Sequence, residues 1–186
     1  MSVRKMWLAG EPAKDSEYTA EIVSDNAIEP VGPIHVGADG PTLDPKTLEE
    51  GLRRAVEAVA LCNVATIHKN LKGEWKSTGD PTEVALQVFA TKLSLGRPTL
   101  TSDKLGPADA PRLRPAMGEK ISGDPSVTFP DEEKEVPKRY TLAVEFPFSS
   151  ELKRMTTIYF DTEGKGALCI IKGAVSNAHQ YWSAFY

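Results

Sequence analysis

Seven prolines, at positions 98, 107, 111, 115, 125, 130 and 137, fall inside residues 94–137. The same stretch holds the charged run DEEKE and few large apolar side chains. Such a segment cannot bury enough apolar surface to offset the entropy lost on ordering it. It is expected to be a long, largely flexible Pro-rich insertion on the surface. Whatever core forms must therefore be assembled from the residues before 94 and those after 137.

Before the insertion, residues 1–8 and 17–23 ("EYTAEIV") read as short strands, and the Gly/Pro-crowded stretch 30–45 as a loop. Asp44-Pro45 is a cap-plus-proline helix start. Leu48, Leu52, Ala55, Val56 and Val59 follow at helical spacing, which predicts a helix to about Asn63. Glu49 with Arg53, and Glu50 with Arg54, are spaced to pair on its outer face. A second helix is predicted from Pro81 to Lys92 or Leu93. Asp80 is its cap, Pro81 suits the first helical position, and Val84, Ala85, Val88 and Phe89 form one apolar stripe. Glu83 stands three residues after the cap, the position of the returning half of a capping box. On local sequence alone Glu83 reads as a cap residue or as a ligand residue, and the two roles are compatible.

After the insertion, "KRYTLAVEFPF", "KRMTTIYFD" and "GALCIIKGA" are strand-like segments joined by turn residues such as Asp161-Thr162-Glu163-Gly164. Short links predict an antiparallel meander. Early helices beside late strands give an α+β architecture, an antiparallel sheet flanked by helices. At 186 residues the chain has room for one domain. A net charge of −4 offers no basic stripe for nucleic acid. The longest apolar candidate, 55–67, is interrupted by Glu57 and Asn63, so no segment is built to cross a bilayer, and "MSVRKMWLAGEP" has no apolar core of leader length. Cys62 and Cys169 lack metal-ligand spacing and suit a reducing compartment as small buried hydrophobes. His35, His68 and His179 have no sequence partners that suggest a metal or catalytic site.

Three motifs occur in a fixed order: "GDPTE" at 79–83, "FPFSSELKRMT" at 146–156 and "KGA" at 172–174. "LCN" at 61–63 and Trp75 precede them. Together they closely resemble the nucleotide-binding (N) domain of P-type cation-transporting ATPases. "GDPTEVALQVFATK" and "EFPFSSELKRMT" look most like the fungal sodium- or potassium-exporting branch, type IID. The resemblance covers residues 1–174 as a single domain, and the insertion is its least typical part.

The resemblance implies an adenine-nucleotide site, with ATP as the ligand. Phe148 matches the aromatic that stacks on adenine, and Glu83 the acidic residue near the adenine edge. Lys153 matches the lysine lining the pocket, Lys172 and Gly173 its floor, and Met155 a wall residue. Ser150 stands where some relatives carry an arginine that reaches the phosphates, so that contact is not supplied here. Singly, Phe148 would read as core and the lysines as solvated surface. No GxxxxGK[ST] loop is present, so the base should provide most of the grip.

The resemblance further implies phosphorylation and actuator domains as partners, magnesium acting with the former, and a parent pump in the plasma membrane with this domain on its cytosolic side. No "DKTGT" aspartate, hinge motif or "TGE" loop occurs in these residues, so the chain alone is not expected to turn over ATP. Residues 175–186, "VSNAHQYWSAFY", depart from the family and are expected to be a non-native tail on an excised or truncated piece. The alternative is a remnant or interaction module that keeps the fold with little nucleotide affinity.

Overall fold

The computed structural model describes residues 1–8, 16–101, 138–163 and 166–173. Most of the Pro-rich segment and the tail after Gly173 lie outside the described residues, as does the expectation attached to each. Eleven elements follow in chain order: β1 Lys5–Leu8, β2 Ser16–Ala20, β3 Ile34–Val36, α1 Glu50–Leu61, β4 Thr66–Lys69, β5 Trp75–Thr78, α2 Pro81–Lys92, α3 Arg97–Leu100, β6 Tyr140–Ser149, β7 Arg154–Asp161 and β8 Gly166–Gly173. They form three antiparallel sheets, ordered β1-β2-β3, β4-β5 and β6-β7-β8. The α+β expectation and the late meander are both borne out.

The second helix has the predicted limits, but the first starts later than its sequence signal. Asp44 Oδ1 accepts from the Lys46 amide at 2.9 Å, and the Asp44 carbonyl accepts from the Thr47 amide at 3.0 Å. Asp-Pro here makes a turn, a use its chemistry serves equally well, and α1 begins at Glu50. Glu49 thus sits outside the helix. Arg54 pairs with Glu50 as expected, while Arg53 turns instead to Glu57 at 3.7 Å. The second strand stops at Ala20, and the stretch read as a loop contributes β3, paired to β2 through Thr19↔His35 and Ala20↔Ile34.

The β4–β5 hairpin has no counterpart in the sequence reading. Its turn is organised by Asn70, whose Oδ1 accepts from the Lys72 and Glu74 amides, both at 2.9 Å. The stretch 94–137 also needs trimming at its start. Arg97–Leu100 form a helical turn, Arg97, Leu100 and Thr101 are buried, and Thr101 bridges to Tyr140. Pro98 is compatible with that turn because it occupies its second position, where no intrahelical N–H bond is required.

One cluster forms the main core. Leu52, Val56, Ala60 and Leu61 of α1 meet Phe89, Ala90 and Leu93 from α2 and its end. Tyr140, Met155, Tyr159 and Ile170 contribute from one face of β6-β7-β8, and Tyr18, Ala20 and Ile34 from the first sheet. Cys62 belongs to this core as a small hydrophobe, with burial pushing its thiol pKa up. Cys169, expected to match it, is exposed on β8. It stands opposite Ile158 on β7, one residue out of phase with the core positions Thr157 and Tyr159.

The C-terminus of α1 would leave carbonyls without intrahelical partners. Side chains from two other elements satisfy the last two of them. Tyr159 Oη of β7 donates to the Leu61 carbonyl at 2.9 Å, and Gln87 Nε2 of α2 donates to the Ala60 carbonyl at 2.7 Å. Just past the helix, Arg97 Nη1 of α3 donates to the Asn63 carbonyl. Each such bond contributes on the order of 1 kcal/mol, and losing one inside the core costs more.

Candidate functional site

The N-terminus of α2 builds one side of the site. Gly79 (φ +118°) brings the chain against Ala65, where a Cβ would lie 2.8 Å from the Ala65 Cα; only glycine fits. Asp80 then caps the helix by accepting from the Thr82 amide at 2.8 Å, a bond that also holds its carboxyl below its usual pKa.

Glu83 does not close the predicted capping box. Its Oε2 accepts from the Val64 amide at 3.0 Å, and its Oε1 from Lys172 Nζ at 2.6 Å. A cationic donor outcompetes a backbone amide for a carboxylate, and the half-buried setting favours that choice. The side chain thereby reaches from α2 to the end of β8, 89 residues away in sequence.

The sheet builds the other side. Lys172 stands opposite Met155 in the β7–β8 ladder, so the two share the core-facing side of the sheet. Met155 is fully packed in the core cluster and presents no open wall. Lys172 lies at the rim, its side chain 30% exposed against 15% for Glu83. On β6 the register shifts between Phe146 and Ser149, and Ser149 faces Arg154. Phe148 falls inside that irregular stretch, with 58% of its surface open.

Lys153 ends the β6–β7 turn at φ 52°, exposed, and Ser150 lies within the same turn. Gly173 has a packing role: a Cβ there would sit 2.4 Å from the Lys153 carbonyl oxygen. The strand end and the turn touch through backbone at this point.

Glu83 and Lys172 are therefore in direct contact, Met155 stands opposite Lys172 in the ladder, and Gly173 and Lys153 meet through the turn. Phe148 is an exposed aromatic near the end of β6, and no contact joins it to the pair among the described residues. Sequence reasoning missed Val64, Asn63 and Arg97, although "LCN" marked the place of Asn63. Asn63 is wholly buried and satisfied on both sides of its amide. Nδ2 donates to the Glu83 carbonyl at 2.9 Å, and Oδ1 accepts from the Ala65 amide at 2.8 Å. A separate groove lined by Val3, Ile22, Val23, Val31, Val88 and Phe89 includes none of the site residues.

The family model described as "P-type ATPase, cytoplasmic domain N" matches residues 51–178, a span that contains every residue of this site. The chain belongs to that family. Among curated proteins it is similar to Sodium/potassium exporting P-type ATPase 1 of Saccharomyces cerevisiae, at 32% identity over 132 residues, which cover 70% of this chain and 11% of that protein. It is also similar to Sodium/potassium exporting P-type ATPase cta3 of Schizosaccharomyces pombe, at 30% identity over 120 residues, covering 64% of this chain and 8% of the relative. The aligned part is thus a small fraction of either relative's length. Among the described residues no helix is long and apolar enough to cross a membrane.

Proposed function

We propose that this chain binds an adenine nucleotide at the Glu83–Lys172 pair, with Phe148 stacking on the base, as a domain of a sodium- or potassium-exporting P-type ATPase. The observation that supports this reading is the 2.6 Å contact that joins the "GDPTE" and "KGA" motifs, while the third motif carries an open aromatic ring, Phe148. The residues fit the ligand chemically. An exposed ring can stack on a base for about 1–3 kcal/mol. The Glu83 carboxylate can accept from the adenine amino group, and Lys172 lies against the base and ribose. Lys153, on the exposed turn, is free to meet phosphate oxygens as a point charge.

Magnesium and the phosphoryl-transfer aspartate belong to a phosphorylation domain, so no hydrolysis is expected of this chain alone. The parent would sit in the plasma membrane, with this domain on the cytosolic side and phosphorylation and actuator domains as its partners. One observation favours the other reading, a fold that keeps little affinity: Glu83 and Lys172 already satisfy each other.

A nucleotide titration followed by amide NMR decides between them. Binding should shift resonances at Glu83, Phe148, Lys153 and Lys172. AMP, ADP and ATP should bind within about tenfold of one another, or ~1.4 kcal/mol, because the base carries the grip. Absence of shifts at millimolar ATP would leave the low-affinity reading standing.

A further inference from the structure

Arg97 is a buried cation with an unusual position. It is 2% exposed and reaches toward both the loop after α1 and strand β6. Its Nη1 donates to the carbonyl of Asn63, the residue whose amide side chain holds the Glu83 backbone and whose neighbour Val64 holds the Glu83 carboxylate. Its Nη2 lies 3.9 Å from Glu145 Oε2 on β6, three residues before Phe148. Its own amide donates to Gln87 Oε1 of α2 at 3.3 Å. Nε and Nη2 have no hydrogen-bond partner among the described residues. Burying a guanidinium with so few bonds is unfavourable, and packing alone would be served as well by an apolar side chain of similar size.

We infer that Arg97 is a positioning residue: through Asn63 on one side and Glu145 on the other, it sets the separation between Glu83 and Phe148. The inference rests on the reading of those two residues as a nucleotide site. A planar guanidinium suits the task because its nitrogens point in fixed, divergent directions, so one group can hold a carbonyl and attract a carboxylate at once. Lysine has a single nitrogen and cannot span both. The Glu145 end bears on β6, and the Asn63 end on the loop after α1 and, through Asn63, on Glu83 of α2. Moving either therefore changes the gap in which a base would lie, without touching the base.

The test is a double-mutant cycle on nucleotide affinity in the full chain. Glu145→Gln keeps the shape and removes the charge that Arg97 attracts; Glu145 is partly exposed, so this variant is suited to remain folded. It should weaken AMP and ATP alike, by about tenfold. Combined with Phe148→Ala, it should bind no more weakly than Phe148→Ala alone, because the ring it places is already gone. Arg97→Lys should behave like Glu145→Gln and shift the amide resonances of Val64 and Phe148 before ligand is added. Wild-type affinity in Glu145→Gln, or strictly additive losses in the double variant, would overturn the role of Arg97. Absence of binding by the wild-type chain is seen before any variant is compared, and it would remove the site reading together with this inference.

Discussion

Replacing Glu83 by glutamine separates two accounts of the same residue. As the returning half of a capping box, Glu83 could be exchanged for Gln at almost no cost. The structure gives the carboxylate other work: it accepts from the Val64 amide at 3.0 Å and from Lys172 at 2.6 Å. Glutamine offers one oxygen, and its NH2 would face whichever donor that oxygen leaves. Hydrogen bonds to charged groups contribute about 1.5–3 kcal/mol. With Lys172 30% exposed, solvent screens part of that, leaving about 1–2 kcal/mol. For a domain of this size, the melting temperature should fall by about 3–6 °C.

Thermal unfolding of Glu83→Gln, Lys172→Met and the double variant measures the coupling, which should be about 1 kcal/mol. It should shrink near 1 M salt, where the screening length is about 3 Å. A glutamine variant that melts with the wild type, beside a costly Glu83→Ala, would return Glu83 to the helix cap and refute the clasp.

Further substitutions test the frame of the site and the core behind it. Gly173→Ala places a Cβ 2.4 Å from the Lys153 carbonyl oxygen, so the β6–β7 turn must shift. A loss of about 1–3 kcal/mol is expected in denaturant unfolding. Gly51→Ala serves as its control, because that Cβ meets only Leu8 Cδ2 at 3.8 Å and helix propensity should make it neutral or stabilising. Tyr140 donates to Glu57 at 2.8 Å, and burial together with that carboxylate raises its phenol pKa. The folded state therefore holds the proton at a pH where the unfolded chain releases it. Tyr140 contributes stability that is full below about pH 10 and declines as pH rises further. Tyr140→Phe should be less stable at neutral pH, and melts across the alkaline range should show a shallower decline than the wild type.

What could be read in advance follows the range of the interactions involved. Helix α2 was legible to within one residue at its end because its signals, an aspartate cap, a proline and an apolar stripe, act within a few positions. Asp44-Pro45 shows the limit of such signals, since the same atoms close a turn or open a helix and only the following chain decides. The β4–β5 hairpin was not legible. Its strands are four residues long and of mixed polarity, and its apolar positions Ile67 and Trp75 find their partners, Val84, Val88 and Ile28, outside the hairpin. The α+β class could be derived from patterning, but the residues of the candidate site came from motif resemblance. What they touch came from neither. Val64 and Lys172 lie 19 and 89 positions from Glu83, and no local preference encodes such pairs.

The place of the site has its own physical logic. A helix exposes unpaired amides at its start and unpaired carbonyls at its end, and here the start of α2 and the end of α1 are brought together. The carbonyl end draws donors, and Tyr159, Gln87 and Arg97 arrive from β7, α2 and α3. The amide end favours negative charge, and Asp80 and Glu83 supply it. Asn63 stands between the two, donating toward α2 and accepting from its own loop. The core is obliged to carry polar groups at this junction. The strand end with Lys172 closes it, leaving a carboxylate and a cation at one edge of the core. Ligand chemistry of this kind needs no dedicated loop. It can be assembled from the groups that two helix ends require in any case.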